Sequence, residues 1–269
     1  MQVTQLFLGM LFGGGAGYAA WRMNGLSISG AWAAAIMGTV IFGLGGVSWA
    51  LVTLTFFISS TLLSRMFTRR KNNLGEMFAK GSRRDWGQVL ANGGLGMILV
   101  MVQAAFPTQT WPWMAFIGAM ATVNADTWAT EIGVLSRSAP RLATTGKVVE
   151  RGTSGGVTVL GIAATIAGGA LVGLVASVLS PKVEYQLGLT VGALAGLAGS
   201  SLDSVLGARF QAIYYCPKDN TETEQHPLHR CGTPTSWIRG WRWLNNDQVN
   251  FISSVFGAVV AMSIWQLLE

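Results

Sequence analysis

Long apolar runs recur along nearly the whole chain, and they constrain the fold more than any other feature. They fall at about 4–20, 28–46, 48–63, 87–105, 112–135, 156–180, 187–207 and 248–267. Roughly 17 to 25 apolar residues are needed to cross the hydrocarbon core of a bilayer. In lipid every backbone N–H and C=O must find a partner within the segment, so such spans are helices. Only 11% of the 269 residues are charged, against about 25% in an ordinary soluble domain. The expected architecture is therefore all-α, a single integral membrane domain over 1–269 with about eight transmembrane helices. Residues 1–20 lack a basic n-region and read as a first span, not as a cleaved leader.

The few charges are unevenly placed. A net charge of +6 would point to nucleic acid in a soluble chain. Here the basic residues sit in alternate connections: near 22, in 64–86, in 136–155 and in 208–247. With eight spans, all of the 18 Lys and Arg residues except Lys182 lie on one side. By the positive-inside rule that side is cytoplasmic, which places both termini outside. The expected location is the cell (inner) membrane, with lipid as partner and no nucleic acid. Gly45-Gly46 marks a tight turn between the second and third spans.

Polar patches interrupt the apolar runs near their cytoplasmic ends, within residues 80–252. Ionisable groups at membrane depth are costly and therefore mark function. The first patch, NADTWATEIG, holds Asn124, Asp126 and Glu131. At 100° per residue the two acids lie on different helix faces, so other helices must complete any shared site. The second, GSSLDSVLG, sets Ser200, Asp203, Ser204 and Gln211 on one face. Small residues there let a partner helix or a ligand come close. Between them, Lys147 and Arg151 lead into Gly152, Thr153, Ser154, Gly155 and Gly156, just before another apolar run. Backbone donors at a helix start with flanking cations favour phosphate, although no Walker or dinucleotide motif is present. Two further patches open spans: Arg83-Arg84-Asp85-Trp86 with Asn92, and Asn245-Asn246-Asp247 with Asn250. Asn246 or Asp247 is the expected N-cap of the last span.

Two other features stand out. Gly118-Ala119-Met120-Ala121 is echoed by Gly192-Ala193-Leu194-Ala195, with Gly133 and Gly207 at the same offset and Gly161 set against Gly257. Duplicated helical hairpins would explain the echo. The loop 208–247 holds every Cys and His of the chain, as Cys216, His226, His229 and Cys231. Such ligands match a tetrahedral structural zinc site, and a cytoplasmic loop disfavours a disulfide.

NADTWATEIG, GTSGGVT, GSSLDSVLGA, RRDWGQVLANGG and WLNNDQVNF together resemble one integral membrane family. It includes plant and cyanobacterial phytyl-phosphate kinase and the animal transmembrane protein nineteen. The resemblance runs from about Ser59 to the end, and the loop from Cys216 to Cys231 is outside its pattern. It implies a kinase that converts a phytyl or polyprenyl monophosphate to the diphosphate, using CTP or ATP. On that reading Asp126, Asp203, Glu131 and Asp247 hold Mg²⁺, with Asp126, Asp203, Lys147 and Arg151 catalytic. The donor phosphates fall to residues 152 to 156 with Ser200 and Ser204, and the acceptor to Arg83, Arg84, Asn92, Asn124 and Asn250. The rival expectation is a transporter or flippase for an anionic lipid or metabolite, whose site belongs near the bilayer midplane.

Overall fold

The computed structural model describes residues 3–71, 83–180 and 183–268. Lys80, Gly81, Ser82 and Lys182, which entered the charge count or the arginine motif, lie outside them, as do the side chains of 67–71. The described helices are α1 (Val3–Arg22), α2 (Ile28–Val40), α3 (Gly46–Lys71), α4 (Trp86–Ala105), α5 (Trp111–Gly133), α6 (Val159–Val178), α7 (Tyr185–Arg209) and α8 (Asn246–Leu268). Five helical segments are long and apolar enough to cross a membrane: Ile28–Met66, Trp86–Ala105, Val159–Val178, Tyr185–Arg209 and Asn246–Leu268. The glycine-rich α1 and the polar-patched α5 fall outside that set, so the criterion yields fewer spans than the eight apolar runs.

The 39-residue segment Ile28–Met66 would measure about 58 Å as one straight helix, twice the thickness of the hydrocarbon core. It is not straight. A π-helical turn at Ile41–Gly45 leads into Gly46, whose φ of 77° reverses the chain as the Gly45-Gly46 pair predicts. The far ends of the two arms meet again: the Arg65 guanidinium donates to the Met23 carbonyl, and a methyl on Gly25 would touch Thr61.

Small residues set the helix contacts. Only Gly9, Gly13, Gly17 and Ala20 of α1 are buried. A Cβ on any of the three glycines would collide with α2 backbone, so α1 and α2 pack as tightly as glycine allows. Phe7, Leu11, Trp32, Ile36, Leu62 and Val159 point outward and are exposed. A soluble monomer rarely shows so extended an apolar surface; around a helical bundle it is the lipid face. The core runs along α5, where every residue from Met114 to Ala125 is buried.

The echoed glycines of α5 and α7 both take part in close helix contacts. Gly169 of α6 packs against Gly192 and Gly196 of α7, and Gly257 of α8 packs against Gly118 and Thr122 of α5. The matched positions on α5 and α7 share one spacing, and Ser200 of α7 donates to Asp126 of α5. The partner of Gly257 is therefore Gly169, two helical turns beyond the expected Gly161.

The connections are not wholly irregular, which departs from a strict all-α fold. β1 (Arg141–Leu142) pairs antiparallel with β2 (Gly156–Val157). In the long loop β3 (Ile213–Cys216) lies between β4 (Thr221–Thr223) and β5 (Ser236–Arg239), both antiparallel to it. These strands stand beyond the helix ends, where water can satisfy a sheet edge that lipid could not.

Candidate functional site

The ends of six helices converge on one cavity of about 1080 Å³. It is lined by Ser64 of α3, the C-terminal halves of α5 and α7 and the N-terminal turns of α4, α6 and α8, so it opens at one end of the bundle. The amide ends of three helices thus face it, a favourable setting for anions.

Asp126 and Asp203 both line this cavity. Ser200 Oγ donates to Asp126 Oδ1 at 3.2 Å. Asp203 Oδ2 is buried with no hydrogen-bond partner; Ser253 Oγ faces Asp203 yet falls short of bonding geometry. Asp126 and Glu224 are both electrostatic neighbours of Asp203. Carboxylates that neighbour Asp203 on both counts repel it unless a cation or a proton intervenes. Glu224 also accepts from Gln211 Nε2 at 2.6 Å, and Gln211 Oε1 accepts from Ser154 Oγ at 3.1 Å. This relay joins the long loop to the glycine-rich loop through Gln211, which lies just past the end of α7 and not on its helical face.

Glu131 lines the same cavity from another side. Its Oε1 accepts from Ser64 Oγ at 2.6 Å, and Arg84 is its electrostatic partner. The two acids of α5 thus turn to different helices, as their spacing predicts. Arg84 lies 5.4 Å over the Phe56 ring and lines the cavity. Its backbone is locked by Ser27 N to Arg84 O (3.0 Å) and Arg84 N to Gly25 O (3.1 Å). Arg83 points the other way, exposed, and donates to Asn24 Oδ1. Arg83 is therefore not placed to meet an acceptor in this cavity.

The glycine-rich loop differs from expectation in detail. Residues 152 to 156, Ser200 and Ser204 line the cavity. Yet the helix N-terminus lies later: Thr158 caps α6, its Oγ1 accepting from Gly161 N at 3.0 Å. Two loop amides are already engaged, Gly156 N to Thr153 O (2.9 Å) and Thr153 N to Glu150 O (3.2 Å). Gly155 has φ 77° and packs so closely on α7 that a Cβ would overlap Ser204 O. Arg151 borders the cavity, but its guanidinium binds the Val134 and Ser136 carbonyls at 2.9 and 2.6 Å. It caps the C-terminal end of α5. Lys147 is exposed in the turn between Leu142 and Val148 and does not line the cavity.

Asn92 and Asn250 line the cavity, with Asn92 Nδ2 donating to Gln88 O at 2.8 Å. Asn124 does not. It is fully buried, donating to Gly168 O at 2.7 Å and accepting from Ser59 Oγ at 2.9 Å, so it ties α3, α5 and α6 together. The cap of α8 is Asn245, whose Oδ1 accepts from Asp247 N at 2.8 Å while Gln248 Oε1 accepts from Asn245 N at 2.9 Å. This leaves the Asn246 and Asp247 side chains on the cavity wall.

Gln88, Tyr214, Glu224 and Arg242 also line it, and sequence reading passed over all four. The acids of Thr221-Glu222-Thr223-Glu224 were a visible signal, but only the β3–β4 pairing turns Glu224 inward. His226 is exposed and stacks on Tyr214 with centroids 4.3 Å apart. It stands apart from Cys216, His229 and Cys231, which cluster with Asp219 instead.

Apolar helices long enough to cross a membrane, with acids and glycines gathered at one end, define an integral membrane protein with a polar end cavity. Residues 11–258 match the family described as integral membrane protein DUF92, and the chain belongs to that family. It is the family to which the five motifs point. Protein PGR of Arabidopsis thaliana is 34% identical over 258 residues, covering 88% of each chain. An uncharacterized membrane protein of Methanocaldococcus jannaschii is 32% identical, over 86% of this chain and 82% of its own. Protein VTE6, chloroplastic, of Arabidopsis thaliana is 28% identical over 91% of this chain and 67% of its own. No solved structure matches the chain.

Proposed function

We propose that the protein is a nucleotide-dependent kinase that converts an isoprenoid monophosphate, phytyl or polyprenyl, to its diphosphate. The observation that carries this reading is Asp203 Oδ2, buried without a partner beside Asp126 and Glu224 in a cavity lined by helix amide ends. A carboxylate so placed is costly unless a cation joins it. Oxygen donors of this kind suit Mg²⁺, which dehydrates reluctantly and shares its coordination with substrate phosphates. Asp126 and Asp203 would hold it, with Asp247 and Glu224 on the adjoining wall. When bound, Mg²⁺ neutralises charge on the transferring phosphoryl group.

The chain's own residues supply position. The loop at 152–156, held against α7 through Gly155 and anchored to α5 by Arg151, forms the wall for the donor phosphates. Arg84 meets the acceptor phosphate, balanced by Glu131 when the site is empty of substrate. An acceptor phosphate is already anionic, so orientation and electrostatics suffice without an assigned base. The acceptor's apolar tail stays among lipid-facing helices. A carrier would place its site near the midplane, whereas this cavity lies at one end of the bundle, which supports the enzyme over the transporter.

The deciding assay incubates purified protein with Mg²⁺, each nucleoside triphosphate and a panel of polyprenyl monophosphates. Diphosphate product that requires both Mg²⁺ and one nucleotide is the expected result. Its absence, with substrate movement across proteoliposomes, would replace the kinase by a carrier.

The reading places the cavity on the cytoplasmic face of the cell membrane, with eight crossings and both termini outside. Single cysteines near residues 75, 145 and 225, introduced into a Cys216→Ser/Cys231→Ser background, should react with an impermeant maleimide only from the cytoplasmic side. Cysteines at the termini should react only from the other. Termini found on opposite faces would rule out eight crossings.

A further inference from the structure

We infer that Cys216, Asp219, His229 and Cys231 form a structural zinc site that holds the long loop against the cavity. Their donor atoms all lie within 4.8 Å of one another. The two sulfurs are 3.6 Å apart, and both cysteines are free thiols. Cys231 Sγ is 3.4 Å from His229 Nδ1, Cys216 Sγ is 3.9 Å from Asp219 Oδ2, and His229 Nδ1 is 2.8 Å from Asp219 Oδ2.

Three of these four separations lie close to the edges of a tetrahedron around one zinc ion. With Zn–S near 2.3 Å and Zn–N and Zn–O near 2.1 Å, the edges would be about 3.8 Å for S–S, 3.6 Å for S–N and S–O alike, and 3.4 Å for N–O. Only the His–Asp edge is clearly shorter, and it would open by about half an ångström as the ion entered. Two sulfurs, one imidazole and one carboxylate on one centre suit zinc better than magnesium or calcium, which take oxygen ligands.

The local chain is built for it. Cys216 ends β3 and Asp219 occupies the turn to β4, where Asn220 takes φ 50°. His229 and Cys231 lie in a second tight turn, closed by Gly232 N to His229 O at 2.8 Å. The ligand pattern is C-x2-D-x9-H-x-C, with Asp219 where the sequence alone pointed to His226. Lys218 stands beside Asp219 and offsets the negative charge that two thiolates and a carboxylate would leave on the ion.

Position gives the site its purpose. The two ligand turns bracket residues 220–228, and within that bracket Glu224, Gln225 and His226 line the cavity. A metal clamp would close both ends of this wall and so fix Glu224 on Gln211. It would do for a loop outside the membrane what helix packing does inside it.

The test is metal analysis of protein purified without a His-tag. About one zinc per chain is expected, lost in Cys216→Ser and in Cys231→Ser, reduced at least tenfold in affinity in Asp219→Ala, and retained in His226→Ala. Exchange for cobalt should give the visible bands of a tetrahedral ion with sulfur-to-metal charge transfer. That spectrum is read on the unmutated chain, so it decides the question even where a cysteine variant fails to fold. Folded protein that takes up neither metal, or zinc retained by the Cys216→Ser/Cys231→Ser double variant, would overturn the site. None of these readouts depends on kinase activity.

Discussion

Asp203→Asn is expected to lower diphosphate formation by about 100-fold or more, the scale on which removing one electrostatic contact to developing charge acts. The fold should survive. Asp203 makes no hydrogen bond through Oδ2, so an amide removes a buried, unpartnered charge and leaves thermal unfolding in detergent unchanged or slightly raised. Asp126→Asn should lose activity on a similar scale, because an amide still pairs with Ser200 yet ligates Mg²⁺ poorly. Lys147→Ala and Arg83→Ala serve as comparison, since both side chains lie outside the cavity; each should stay within about threefold of the unmutated rate. Initial rates with labelled nucleotide measure all four. Near-normal turnover in Asp203→Asn would remove that residue from the site and, with it, the main support for a metal-assisted kinase.

Gly155→Ala should be the most damaging loop substitution. At φ 77° an alanine costs about 1 kcal/mol in backbone strain. More serious, its Cβ would overlap Ser204 O and lie 2.5 Å from Ala208 N, both on the α7 backbone, which cannot turn aside. The loop would have to lift off α7 and break the Ser154–Gln211 bond. A fall of at least about tenfold in kcat/KM for the nucleotide and a Tm lower by several degrees are expected. Gly146→Ala isolates the strain, because Gly146 has φ 68° but nothing within 4 Å of its Cβ position. It should show the modest stability loss without the kinetic defect. Equal behaviour of the two variants would mean that the loop's seat on α7 does not matter to the site.

Much of this was legible from sequence for one reason: lipid leaves few options. An apolar run of membrane length has to be helical, and the eight runs correspond to α1 through α8 with small shifts at their ends. The same constraint made Asp126, Glu131 and Asp203 conspicuous, since a carboxylate survives at helix depth only where something compensates it. Gly45-Gly46 announced its own turn, because a positive φ is available to glycine at little cost.

The tertiary structure alone decided which polar groups face the cavity. Arg83 and Arg84 are adjacent and chemically identical; the backbone bridge to residues 25–27 turns Arg84 inward and leaves Arg83 outside. Arg151 looked like a phosphate ligand, but the carbonyls of Val134 and Ser136, brought beneath it by folding, take its donors. Asn124 looked like a site residue, yet its amide is consumed between Gly168 and Ser59. Glu224 reaches Gln211 and Asp203 only through the pairing of β3 with β4, and that pairing sets Asp219 rather than His226 beside the two thiols. Membrane thickness and the cost of burying charge act on each residue separately and can be read along the chain. The direction of a side chain depends on contacts between segments distant in sequence, and no local pattern carries it.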